Sequence, residues 1–149
     1  MRRENGIGQH PATIIVDVAN VMGSRPDGWW RDRAAAAARL HAEITALAAE
    51  GTAGGPPVLP GETGPPQFVM VLEGAARPAA GRIGPADRVR VVQADGSGDD
   101  AIAALARELP GRRFVVTADR ELRRRCEAAG ATVLGPGWLL GLLRRGDRP

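Results

Sequence analysis

Five short apolar runs, rich in β-branched residues, recur along this chain: Thr13–Asp17, Phe68–Glu73, Val89–Val92, Phe114–Thr117 and Ala131–Leu134. A strand that is apolar on both of its alternating faces must be covered on both sides. That is the condition of a parallel sheet, not of a half-exposed antiparallel one. Val89–Val92 is the exception in character, being short and interrupted by Arg90, which suits a sheet edge.

Helical periodicity fills much of the space between the runs. Trp29–Glu50 is Ala-rich and sets Leu40, Ile44 and Leu47 at i, i+4, i+7, with Arg39 and Glu43 at ion-pair spacing on the other side. Asp99–Leu109 repeats the pattern through Ile102, Leu105, Ala106 and Leu109. Arg120–Ala129 turns Leu122 and Cys126 inward, and Pro136 opens a last helix carrying Leu139, Leu142 and Leu143. Alternating strands and helices predict an α/β fold, a three-layer sandwich around a mostly parallel sheet of four or five strands, Rossmann-like in outline. One domain over 13–145 accounts for the pattern. The Gly/Pro-rich stretch 51–66 reads as a mobile surface loop, and 1–12 and 146–149 as tails.

Composition narrows the partners. The 20 basic residues are all Arg and face 17 acids, a net charge of +3, so the surface can accept a polyanion without requiring one. A single cysteine, Cys126, excludes an intramolecular disulfide and a cysteine-based zinc cluster, and fits a reducing, cytoplasmic compartment. No run approaches the roughly 18 apolar residues of a membrane span, so no membrane partner is expected. The sequence leaves a homodimer open.

The acids carry the chemistry. In a parallel α/β sheet, ligands bind outside the carboxyl ends of the strands. Asp17 closes the first run and Glu73 the second; Asp95, Asp99 and Asp100 follow the third; Asp119 lies two residues past the fourth. Each of the first four strands thus delivers a carboxylate to one rim. Converging carboxylates in a partly buried cleft repel one another, and a divalent cation removes that conflict. An all-oxygen donor set without Cys or His points to Mg²⁺ or Mn²⁺. Such ions activate water and stabilise a leaving oxygen in phosphodiester cleavage.

Plainer roles compete. Asp99 and Asp100 suit the first turn of a helix capped by Ser97, and Asp119 suits an N-cap. Asp95-Gly96-Ser97-Gly98 is either a phosphate-cradling loop or a flexible turn. Asp17 is harder to explain away, because an acid closing a buried strand is costly unless paired or metal-bound. Asn20, three residues on, is placed to hold a water, a phosphate or backbone. The segment from Gly23 to Arg33 mixes Arg25, Arg31 and Arg33 with Trp29 and Trp30, the combination that neutralises phosphates and stacks bases. Its plainer reading is that Trp30 packs into the core. His10 and His41 lack nucleophile partners at telling spacing.

Taken together, Ile15-Val16-Asp17-Val18-Ala19-Asn20-Val21, Leu72-Glu73-Gly74, Gly98-Asp99-Asp100-Ala101-Ile102 and Val116-Thr117-Ala118-Asp119-Arg120 resemble, in order, the motifs of NYN domains, a branch of the PIN-like nuclease superfamily. Val18 stands where that pattern has Gly. The resemblance implies a Mg²⁺- or Mn²⁺-dependent ribonuclease with RNA as substrate. Asp17, Asp99 or Asp100, and Asp119 would carry the metal, supported by Glu73 and Asn20. Arg25, Trp29, Arg31 and Arg33 would contact the substrate, together with Ser97, Thr117 and Arg120 on the rim loops. Two other readings use the same residues: a nucleotide phosphohydrolase, or a catalytically silent PIN-like module that binds RNA or protein.

Overall fold

The structure, a computed structural model, describes residues 10–52, 58–59, 61–62 and 64–146. Five parallel strands, β1 (Thr13–Asp17), β2 (Gln67–Leu72), β3 (Val89–Gln93), β4 (Arg113–Val116) and β5 (Thr132–Leu134), form one sheet in the order β3-β2-β1-β4-β5. The chain winds outward from β1 in one direction through β2 and β3, then returns to place β4 on the other side of β1. The switch in direction leaves a crevice between the carboxyl ends of β1 and β4, where ligands of such sheets bind. β3, with its exposed Arg90, is an edge strand as its sequence implies.

Alternation along the strands builds two cores. Ile14, Val16, Phe68, Met70, Leu72, Phe114 and Val116 face one layer, which holds α1 (Val18–Gly23), α2 (Arg33–Thr52) and α5 (Pro136–Gly146). Ile15, Val69, Val71 and Val115 face the other, which holds α3 (Gly98–Glu108) and α4 (Arg120–Ala128). Cys126 is buried there beside Leu122, a small apolar residue whose thiol is pushed up by burial. His41 is buried on α2, with its Nε2 unpaired among the described residues, and burial holds its pKa below the ordinary value.

Several local expectations give way. The six-residue α1 follows β1 without a break, because the Asp17 side chain accepts the Asn20 N–H and so caps it. A 3-10 helix over Gly74–Gly81 packs on α2 and joins β2 to β3. The helix expected from Trp29 begins at Arg33; Trp29–Arg31 is a separate 3-10 turn, and Asp32 caps α2 by accepting the Ala35 N–H. Glu43 pairs not with Arg39 but with Arg25, through two bonds of 2.7 and 2.8 Å. The stretch 51–66 is not wholly a mobile loop: Leu59 is buried in the core and Glu62 pairs with Arg112. Positions 53–57, 60 and 63 of that stretch, and the expected tails at 1–9 and 147–149, lie outside the described residues. No described helix is long and apolar enough to cross a membrane.

Candidate active site

A cleft of about 370 Å³ opens at the carboxyl rim, lined by Asp17, Ala19, Asn20, Glu73, Ser97, Asp99 and Asp119. Four of these seven residues are acids and none is a base. Each acid arrives by its own local logic. Asp17 is the last residue of the central strand and is only 7% exposed. Glu73 directly follows β2. Asp99 stands in the first turn of α3, with its N–H held at 3.1 Å by the capping Ser97 hydroxyl. Asp119 caps α4 by accepting the Leu122 N–H at 2.9 Å, which leaves Oδ2 as the oxygen available to a ligand.

Two neighbours fix Asp17. Its Oδ1 accepts the Asn20 N–H at 3.2 Å, and its Oδ2 accepts the Thr117 hydroxyl at 2.9 Å. Thr117 Oγ1 in turn accepts the Asp119 N–H at 3.1 Å, so one buried hydroxyl links two of the acids. Asn20 Oδ1 accepts the Ala118 N–H at 2.8 Å and ties α1 to the turn after β4. Glu73 Oε2 accepts the Gly98 N–H at 2.6 Å. A Cβ at position 98 would sit 2.7 Å from that same oxygen and push the Glu73 carboxylate from its place.

The electrostatics follow from burial and like charge. Asp17 is pushed up from 3.8 to about 6, chiefly by desolvation; Thr117 and Asn20 pull it down, and Asp99 and Glu73 raise it again. Asp99 is raised by desolvation and by Asp119 and Glu73, against the pull of Arg125.

The remaining expectations divide. Asp100 does not join the cleft; it is exposed and pairs with Arg125 at 3.0 Å. Asp95 is exposed and off the cleft. Thr117, expected to touch substrate, is buried and positions Asp17 instead. Arg25 is committed to Glu43. The two tryptophans exchange their expected places: Trp29 packs partly against the core, while Trp30 is 55% exposed. Their rings meet edge to face at 6.1 Å, with the Arg31 guanidinium 5.6 Å from Trp30 and that of Arg33 5.2 Å from Trp29. Arg120 is exposed beside Asp119. Gly98, read in the sequence only as part of a turn or a helix start, accommodates Glu73, and the Arg125–Asp100 pair had no signal of its own.

Does this cleft fit a metal? Its donors are all oxygens and its acids repel, which suits a hard divalent cation. Among the described residues, however, no three Asp, Glu, His or Cys side chains form a ready-made ligand set. The expected four-aspartate cage is therefore not preformed. The arrangement fits an ion held by one or two carboxylates and otherwise hydrated, as Mg²⁺ commonly is.

No family model matches the chain, and no curated protein matches it. Among solved structures it is similar to Rae1 (YacP) from Bacillus subtilis, with a TM-score of 0.67, 17% identity, and coverage of 91% of this chain and 75% of that one. A point mutant of the same protein gives 0.66 and 18%, over 92% and 77%. At this identity the likeness establishes a shared fold across most of both chains.

Proposed function

We propose that this chain is a divalent-metal-dependent ribonuclease of the NYN branch of the PIN-like nucleases, hydrolysing RNA phosphodiester bonds at the cleft around Asp17. The observation that carries the reading is the buried Asp17 carboxylate at the switch point, held by Thr117 and Asn20 and crowded by Asp99 and Glu73 with no base lining the cleft. Such a centre is costly to keep unless its charge is used.

Asp17 and Asp99, the two acids raised by their surroundings, would hold Mg²⁺ or Mn²⁺, with Glu73 and Asp119 receiving its water ligands. When bound, the ion supplies positive charge for the phosphate and acidifies a water. The chain's own part is positional. Thr117 and Asn20 lock the rotamer of Asp17, and Gly98 lets Glu73 reach the start of α3. Substrate would be gripped outside the cleft, by Trp30, Arg31 and Arg33. That patch abuts the far end of α1, since Gly23 lies beside Trp29. Six residues of helix span on the order of 9 Å, about one to two nucleotides of extended strand.

The same cleft favours a polymer over a mononucleotide. Among the described residues Ala19 is the sole apolar one lining it, so they offer no platform for a base. The test is incubation of mixed single-stranded and structured RNAs with Mn²⁺ or Mg²⁺, beside nucleoside triphosphates and an Asp17→Asn control. RNA cleavage abolished by EDTA and by Asp17→Asn upholds the reading. Hydrolysis of the triphosphates alone transfers the site to nucleotide chemistry, and no turnover of either substrate leaves a binding module.

A further inference from the structure

At the opposite edge of the sheet, beneath the amino ends of β1, β2 and β3, lies a second cavity of about 230 Å³. Thr13, Gln67, Phe68, Arg88, Arg90 and Leu109 contribute to its walls, and among the described residues no acid does. Arg88 is unusual twice over. Its backbone is left-handed, with φ of 64°, the one such non-glycine among the described residues. Its Nε is buried and makes no hydrogen bond, while one terminal nitrogen reaches the Pro65 carbonyl at only 3.4 Å.

Both features cost free energy. A left-handed residue other than Gly, Asn or Asp is strained, and a buried N–H without an acceptor adds a desolvation penalty. The backbone around it is nonetheless firmly set: the Arg88 carbonyl accepts the Phe68 N–H at 2.8 Å and the Val89 N–H reaches the Ala86 carbonyl at 3.3 Å. A rigid turn therefore holds a guanidinium, one of whose donors is unpaired, in the wall of a cavity whose only charged residues among those described are Arg88 and Arg90. Guanidinium forks are matched by planar or tetrahedral oxyanions. Thr13 and Gln67 add neutral hydrogen-bonding groups of the kind that complete such a site.

We infer that this cavity is a binding site for a small oxyanion, a phosphate or a carboxylate, separate from the acidic cleft and at the other end of the strands. The anion accepts from Arg88 and offsets the strain of its turn.

The test is thermal unfolding of the full chain in EDTA, titrated with inorganic phosphate or acetate against sodium chloride at equal ionic strength. Two variants accompany it: Arg88→Gly, which relaxes the backbone and removes the guanidinium, and Arg88→Asn, which tolerates the left-handed turn should glycine prevent folding. The expected result is an anion-specific rise in the wild-type melting temperature, with apparent affinity falling about tenfold or more in either variant, the equivalent of one charge-assisted hydrogen bond. Without anion, Arg88→Gly should melt no lower than wild type. The phosphate and acetate arms identify which oxyanion is preferred. No response beyond that to chloride in the wild type, or an equal response in the variants, overturns the assignment.

Discussion

The Thr117 hydroxyl donates to Asp17 Oδ2 at 2.9 Å across the crevice between β1 and β4, and Thr117 Oγ1 itself accepts the Asp119 N–H. Replacing Thr117 with Val removes both bonds. Asp17 then loses an interaction that favours its ionised form, so its pKa rises further. The acid limb of the cleavage profile should move to higher pH, with a stability loss of about 1–3 kcal/mol. Thr117→Ser should restore both; an unmoved pH profile in the Val variant would show that the bond does not tune Asp17.

Asp17 itself costs the ligand-free fold at neutral pH. Its folded value, about 6, lies above its ordinary 3.8, so the native state binds the extra proton between those limits. Its contribution is intact below about pH 4, is lost as pH rises through 6, and is constant above. Asp17→Asn should therefore abolish cleavage yet stabilise the protein above pH 6, by up to roughly 3 kcal/mol. The gain should shrink toward zero by pH 4. Denaturation curves at the two pH values decide it, and a variant less stable at both would refute the linkage.

Because the ion must compete with protons on Asp17 and Asp99, Mn²⁺ should raise the melting temperature more at pH 7.5 than at pH 5. Asp99→Asn should blunt that response. Asp100→Asn, which only breaks the pair with Arg125, should leave it within error. Equal loss in both variants would put the two neighbours in one ligand set.

The tryptophans should separate stability from binding. Trp29→Ala empties a partly buried position and should destabilise the fold by a few kcal/mol. Trp30→Ala should alter stability by about 0.5 kcal/mol or less, while weakening single-stranded RNA about five- to tenfold in EDTA. Fluorescence anisotropy with duplex RNA as comparison reads the second effect. If Trp30→Ala binds single strands as wild type does, the ring is not a stacking platform.

The central strands were legible because β1, β2 and β4 are apolar on both faces, and the carboxyl ends of the strands located Asp17, Glu73, Asp99 and Asp119 at one rim. Choosing between Asp99 and Asp100 was also within reach. Asp99 shares the stripe of Ile102, Ala103 and Ala106 at i+3, i+4 and i+7, whereas Asp100 is turned about 100° away. Other features depended on the path of the chain in space. A six-residue α1 shows less than two full turns of periodicity. The 3-10 turn at Trp29–Arg31 breaks the phase from which α2 would assign an inward ring, so Trp29 and Trp30 exchange roles. Glu43 finds Arg25, 18 residues away, because the connection between α1 and α2 folds back on the helix.

Asp17 and Thr117 are 100 residues apart in sequence, one ending the central strand and the other directly following its neighbour β4. A chain folded only through β3 can pair β1 with β2 and still lack the hydroxyl, the Ala118 amide that anchors Asn20, and Asp119 itself. Competence at this centre is then coupled to near-complete assembly of the sheet. On the proposed reading, folding intermediates and nicked fragments that lose β4 would be unable to cut nucleic acid around them, with no separate inhibitor required.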